Sequence, residues 1–404
     1  MLQHVCRTVR VGVALLTAVL LQVSCVTGEG ESTPPPTMLS IYVFSPDKPV
    51  VTRADDVYVS ASDDEARVHS LHIWVFENSS ETTNGSLVAY YYAPLTDDDA
   101  LNGGERSDVF QVPVSDEFIA RSPRPNVDIY VLANVTAADY DLTLNESTTL
   151  DYLKNTAKIA NKFGLEDHQA IVPSVGLPMS GVLLNQPVVG DAPVLSIGGT
   201  DASMAQVKLG HAVSKLRFVF GAQEGNTLHI KGVSVNSVML PEQEYFFLEG
   251  TEGSADYRVG SSYNGSEVKL WEAASGASGL KVITCKDPTV YASDSHESTA
   301  FENYEVFIND GIAKEELTPL DPQQFYLRES DKQMSGKIYY TVDDGDTKSV
   351  SFTMSAAGDF SRNHIWIVYA YYDSLKLQVA SFVVKSAFKK WEDGGTGTHT
   401  VHNW

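Results

Sequence analysis

Short apolar runs that alternate side to side, each closed by turn residues, recur along this chain and constrain its fold more than any other feature. In "VHSLHIWVFENSSETTNGSLVAYYYA" two such runs flank a loop that ends in Asn84-Gly85, a pair that tolerates positive φ and so predicts a β-hairpin. "RPNVDIYVLANV", "QVKLGHAVSKLRFVFGA", "TLHIKGVSVNSVML", "EVFIND", "QFYLRES", "HIWIVYAYY" and "LKLQVASFVV" read as further strands. "GKIYYTVDDGDTKSVSFTMS" reads as a hairpin turning at Asp344-Gly345. Helical spacing is confined to "TLDYLKNTAKIANKF", where Leu150, Leu153, Ala157, Ile159 and Ala160 predict one helix over 149–163. The class is therefore all-β, built of antiparallel β-sandwiches with minor helix. At 404 residues and 43% hydrophobic content the chain is long enough for two tandem sandwiches. The loop-rich "GLPMSGVLLNQPVVGDAPVLSIGGTDAS" sets the expected boundary, giving 54–204 and 205–404.

The formal charge is −23, from 29 basic and 52 acidic residues, which argues against nucleic acid or an anionic membrane surface as a partner. The first 25 residues read as an export signal: Arg7 and Arg10, an apolar run over 11–21 too short to span a bilayer, then Val23-Ser24-Cys25. Cys25 resembles the acylated cysteine of a bacterial lipoprotein box, with simple cleavage beside an inert thiol as the alternative. Beyond the signal only Cys285 remains besides it, so no disulfide framework is expected. Cys285 alternates with apolar neighbours in "LKVITCKD" and reads as a structural thiol.

Residues 26–37, "VTGEGESTPPPT", read as a tether. "MLSIYVF" follows, a strand with Leu39, Ile41 and Val43 on one side, and Pro46 and Pro49 close it. Then "VVTRADD" sets one arginine, Arg53, at a Pro-flanked junction immediately before Ala54, Asp55 and Asp56, residues that keep the junction out of regular structure; a surface Arg in an ordinary linker is the plain alternative reading. The opposite terminus runs from the alternating "LKLQVASFVV" to a chain end in Trp404. That segment, about 375–404, is a potential inserted strand.

Catalytic constellations are missing: there is no GxSxG, HExxH, P-loop or CxxC, and an enzyme is the least favoured class. His399 and His402 in "HTVH" would point to opposite faces of a strand, so no metal site is expected, and no cofactor. "LTDDDALNGG" lacks the ligand alternation of a calcium loop. The sequons at Asn134 and Asn145 read as chance in a chain with a lipoprotein-type leader. Tyr90, Tyr91 and Tyr92 are consecutive and alternate faces, which favours strand packing over a sugar platform.

The whole chain resembles the fimbrillins, the pilin subunits of type V fimbriae. "LHIWVFENSSETTNGSLVAYY", "VDIYVLANV", "LPMSG", "VKLGHAVSKLRFVF", "FYLRES", "RNHIW" and a C-terminal "LQV…W…W" stand in that family's order. Gly210-His211 departs from it, where the family often has an acidic residue followed by Arg. The resemblance implies two tandem transthyretin-like sandwiches and a precursor lipidated (palmitate) at Cys25 and carried to the outer membrane. It also implies cleavage between Arg53 and Ala54 by an Arg-specific protease, so that residues 26–53 leave with the strand of Leu39, Ile41 and Val43. Removing an edge strand uncovers backbone groups and apolar pockets that another subunit's C-terminal strand can fill. Donor candidates are Leu375, Leu377, Val379, Phe382, Val384, Trp391 and Trp404. Such a contact is head to tail and builds a filament from copies or related pilins. The function implied is a structural pilin of a cell-surface fimbrium that supports adhesion through an unknown receptor. A tip, accessory or anchor subunit is the alternative within the family, and a surface glycan-binding lipoprotein the alternative outside it.

Overall fold

The computed structural model describes residues 36–45, 63–78, 85–101, 107–198, 205–223, 225, 227–236, 240–247, 258–259, 267–281, 284–285, 324–330, 334–353, 360, 362–363, 365–372 and 377–383. Among them strands dominate, and the helices are short, four residues in Asp63–Ala66 and Asp116–Ile119 and six in Leu150–Asn155. The strands form four five-stranded sheets and one three-stranded sheet.

Two five-stranded sheets enclose a first core. One orders Gly210–His211, Met179–Gln186, Val127–Ala133, Ser70–Glu77 and Leu87–Pro94, antiparallel throughout. The expected hairpin is there: Ser70–Glu77 and Leu87–Pro94 pair from Ser70↔Pro94 to Phe76↔Leu87. Facing it is a sheet built around Met38–Phe44, with Ser107–Pro113 on one side and Val194–Ile197 and Gln206–Lys208 on the other. Leu71, Ile73, Val75, Ile129 and Val131 from the first sheet meet Leu39, Ile41, Val43, Val112 and Leu195 from the second. First-core packing runs on through Val207 and Leu209.

A second core gathers Leu216, Phe218 and Phe220 from Ser214–Gln223 with Ile230, Val233 and Val235 from Leu228–Asn236, and with Ile338 and Phe352. Ser335–Val342 and Lys348–Thr353 form the expected second hairpin, but its turn sits one residue early. Asp343 and Asp344 take the positive φ values, 49° and 59°, because Asp tolerates the left-handed region and Asp343 Oδ1 also accepts the Thr227 N–H at 2.9 Å.

The helix expected over 149–163 is far shorter. Leu150–Asn155 is capped by the Thr149 hydroxyl, which accepts from Tyr152 N, and then stops. Lys158–Ile159 pairs instead with Gln243–Tyr245, with Ala157 and Ile159 buried in a third apolar cluster. Thr156 and Asn155 are weak helix formers, so strand pairing and burial override the residual helical spacing.

Two of the sequence's secondary features resolve as structure. Asn134 is fully buried at φ 59°, donating to the Arg67 and Leu177 carbonyls at 2.8 Å and accepting from His69 N, so it is no glycan acceptor. Tyr91 packs on the first core while Tyr90 and Tyr92 turn to the other face, as strand alternation requires.

Candidate functional site

The strand Met38–Phe44 is an interior strand, where sequence reasoning expected an edge. All seven residues pair antiparallel with Ser107–Pro113, from Met38↔Pro113 to Phe44↔Ser107. On the opposite side its first half pairs parallel with Val194–Ile197 and its second half parallel with Gln206–Lys208. The edge assignment fails because one strand's alternation cannot reveal how many neighbours it has. Parallel partners more than 150 residues away in sequence leave no mark in the strand itself. The consequence is a stronger dependence than an edge strand would create: among the described residues, Ser107–Pro113 is joined to its sheet through Met38–Phe44 alone.

Leu39, Ile41 and Val43 are each at most 1% exposed, on the face that alternation predicted. Their burial is worth about 5–9 kcal/mol in gross transfer free energy. Hydrogen bonds extend the seat at both ends: Met38 N donates to Pro193 O at 2.9 Å, Val114 N to Thr37 O at 3.0 Å, and Leu209 N to Phe44 O at 2.8 Å. Between the apolar positions, buried Ser40 exchanges hydrogen bonds with the Gln111 side chain, Oγ to Oε1 at 3.2 Å and Nε2 to Oγ at 3.0 Å. A strand in this slot thus needs apolar residues at three alternating positions and a small polar one beside Gln111.

The other anticipated site residues divide. Cys25, Arg53, Ala54, Leu375, Val384, Trp391 and Trp404 lie outside the described residues, as do His399, His402 and "EVFIND". Leu377, Val379 and Phe382 fall in Leu377–Val383, which pairs antiparallel with Ile365–Tyr372 of the same chain. The backbone of that first part of the donor segment is therefore already engaged on one side. Of the aromatic residues weighed as a sugar platform, Trp74 is buried with its Nε1–H on Asn145 O at 3.1 Å, and the Tyr90 hydroxyl donates to Leu144 O at 3.1 Å. Within the described residues no group of His, Cys, Asp or Glu is placed to hold a metal ion.

Sequence reasoning missed a set of buried charges where the two main cores meet. Glu65, on Asp63–Ala66, places Oε1 2.5 Å from Lys215 Nζ and accepts a hydrogen bond from the Tyr326 hydroxyl, while its carbonyl faces His211 Nε2 at 2.8 Å. Close by, Arg362 reaches Glu329 (Nε to Oε1, 2.8 Å), Glu244 (Nη2 to Oε1, 2.6 Å) and the Phe246 and Tyr245 carbonyls. Arg328 donates to the Ala160 and Lys162 carbonyls, and the Tyr326 backbone bridges to Gln169, so second-core strands are tied to the segment after the short helix. A signal was present: His211, Lys215, Tyr326, Arg328, Glu329 and Arg362 all sit inside the quoted pieces "VKLGHAVSKLRFVF", "FYLRES" and "RNHIW", as polar residues among apolar ones.

Complete burial lowers the His211 pKa to about 4, opposed only in part by the Glu65 carbonyl and carboxylate. Because the folded value lies below the usual 6.5, the unfolded chain takes a proton that the folded one refuses, so stability falls as pH drops from 6.5 towards 4. Replacing His211 by Gln should remove this contribution. Urea unfolding at pH 7 and pH 5 should show the parent losing about 2 kcal/mol more than His211→Gln over that interval.

Residues 38–231 match the family model of the major fimbrial subunit protein (FimA). No curated protein matches the sequence. Among solved structures, the chain is similar to a proposed cell adhesion protein from Parabacteroides distasonis, at 15% identity and TM-score 0.48 over 87% of this chain and 93% of that one. It is similar to the tip fimbrial protein Mfa3 from Porphyromonas gingivalis with C-terminal truncation, at 13% identity and TM-score 0.44, over 86% and 99%. A fimbrilin from Porphyromonas gingivalis aligns at 12% identity and TM-score 0.42, over 83% and 90%.

Proposed function

We propose that this chain, a fimbrillin-family protein whose residues 38–231 match the major fimbrial subunit model, is a structural subunit of a cell-surface fimbrium that polymerises by exchanging one strand. The reading takes Cys25 as the lipid anchor of an outer-membrane precursor and Arg53–Ala54 as the bond cut by an Arg-specific protease. Residues 26–53 then depart, and a strand from the C-terminal region of a neighbouring subunit enters the slot of Met38–Phe44. The mature chain would begin at Ala54 and comprise two sandwiches, about 54–204 and 205–404.

The observation that carries this reading is the interior seat of Met38–Phe44. A strand that completes a sheet on both sides, buries three apolar residues, and precedes Arg53 in the chain is a piece whose loss demands replacement. Because Leu377–Val383 already pairs within its own chain, the reading favours residues beyond Val383, including Val384, Trp391 and Trp404, for the inserting strand. If Leu377, Val379 and Phe382 were to insert, their pairing with Ile365–Tyr372 would first have to break.

The test is treatment of purified precursor, with its leader replaced, by an Arg-specific protease. Cleavage before Ala54 and SDS-resistant ladders are expected from the parent, and neither from Arg53→Ala. Equal laddering by both chains would sink the maturation step.

A further inference from the structure

After Arg53 the next arginine is Arg67, with no lysine between them. A protease that cuts after Arg53 therefore meets a second substrate bond, Arg67–Val68, close behind the first. Cutting there would remove Asp63–Ala66 from the subunit. Arg67 is not hidden by its own burial: its side chain is 34% exposed, 3.8 Å from Asp64 and 3.6 Å from Asp97, both exposed. What is withdrawn from solvent is the backbone around it, since Ala66 and Val68 are fully buried.

Two sets of contacts hold that backbone. Downstream, Arg67 O accepts from Asn134 Nδ2 at 2.8 Å, His69 N donates to Asn134 Oδ1 at 2.7 Å, and the strand Ser70–Glu77 begins. Upstream lies a single turn of helix, too short to hold itself. Glu65 ties that turn down, through its carboxylate to Lys215 and Tyr326 and through its carbonyl to His211. Proteolysis requires a stretch on both sides of the bond to open into an extended form. The upstream side can open only by breaking the Glu65 contacts.

We infer that the buried Glu65–Lys215 ion pair fixes where proteolytic trimming stops, by keeping the Arg67–Val68 bond closed to the protease that acts at Arg53. Glu65 is thus a positioning residue that sets the new N-terminus of the subunit. The inference rests on the Arg-specific maturation proposed above, but its test is run on an Arg53→Ala chain, so a failure at Arg53 leaves it unaffected.

The experiment digests folded Arg53→Ala precursor, with its leader replaced, with an Arg-specific endoprotease and reads new N-termini by mass spectrometry. The parent should show no chain starting at Val68 under native conditions. Glu65→Ala should release it at least about tenfold faster, as expected when a buried pair loses one partner. Glu65→Ala/Lys215→Met, which strands no buried charge, should behave the same, while Lys215→Arg, which keeps the pair, should stay closed. Cuts after Arg328 and Arg362, both buried, report unfolding of the whole. A Val68 chain arising without those cuts supports the inference. Val68 release only together with them, or a folded double variant that stays closed, overturns it.

Discussion

An Ile41→Asp chain is expected to lose the folded state of its first core, with a destabilisation of at least about 4 kcal/mol. Ile41 is the midpoint of the seated strand, opposite Phe110 and packed among first-core side chains from both sheets. The substitution removes a buried aliphatic side chain and puts in a carboxylate with no cationic partner, two costs that add. Marginal stability of about 5–15 kcal/mol for a domain leaves little margin. The measurement is urea unfolding followed by circular dichroism, with Ile41→Val as the control that should cost about 0.5–1.5 kcal/mol. If the strand is exchanged on assembly, the same change should be silent once the strand has left. A chain starting at Ala54 should recover its first-core sheet when refolded with a peptide of residues 36–45, and not with the same peptide carrying Ile41→Asp. Equal recovery with both peptides would mean the seat does not read that side chain.

How much of this was legible in the sequence differs by residue. The alternation of Leu39, Ile41 and Val43 gave the strand and its buried face, and the Asp-rich turn marked the second hairpin, because these are local properties with a period or a φ requirement; Asn84 lies outside the described residues. The interior position of Met38–Phe44 was not legible. It depends on parallel pairing with residues 194–197 and 206–208, which no short-range pattern encodes. The second core places Ser214–Gln223 in a comparable setting, parallel to Ile365–Tyr372 and antiparallel to Gln324–Leu327, again through distant partners. The helix over 149–163 failed for the complementary reason: its pattern was real, but Ala157 and Ile159 are buried through strand pairing rather than along a helix face. The charges at the junction were missed because a lysine or glutamate among apolar residues usually marks the solvent side of a strand. Lys215 instead occupies the face opposite Leu216 and Phe218 and is buried by Glu65 and Tyr326.

Those charges yield the second large effect. Removing the guanidinium in Arg362→Met should destabilise the chain by about 3–5 kcal/mol at pH 8, because two buried acidic side chains, Glu244 and Glu329, lose the cation they share. The position matters for the whole subunit. Glu244 lies on Gln243–Tyr245, which pairs with Lys158–Ile159, and Glu329 N donates to Glu244 Oε2 at 2.9 Å. Arg362 therefore neutralises a point where segments from the two main cores are held together. The pH dependence identifies the cause. Burial raises the Glu244 pKa to about 8, with Arg362 pulling it down and Glu329 pushing it up. Without Arg362 the pull disappears and the folded value rises further. A carboxyl whose folded pKa exceeds its unfolded value binds more protons in the folded state, so its penalty lifts as pH falls through the folded pKa towards the unfolded value near 4.5. The deficit of Arg362→Met relative to the parent should accordingly be smaller at pH 5.5 than at pH 8 in urea unfolding. A second change, Glu244→Gln, should recover part of the loss at pH 8 and little at pH 5.5. A deficit that does not change with pH would place the cost in lost packing of the arginine stem instead of in unpaired charge.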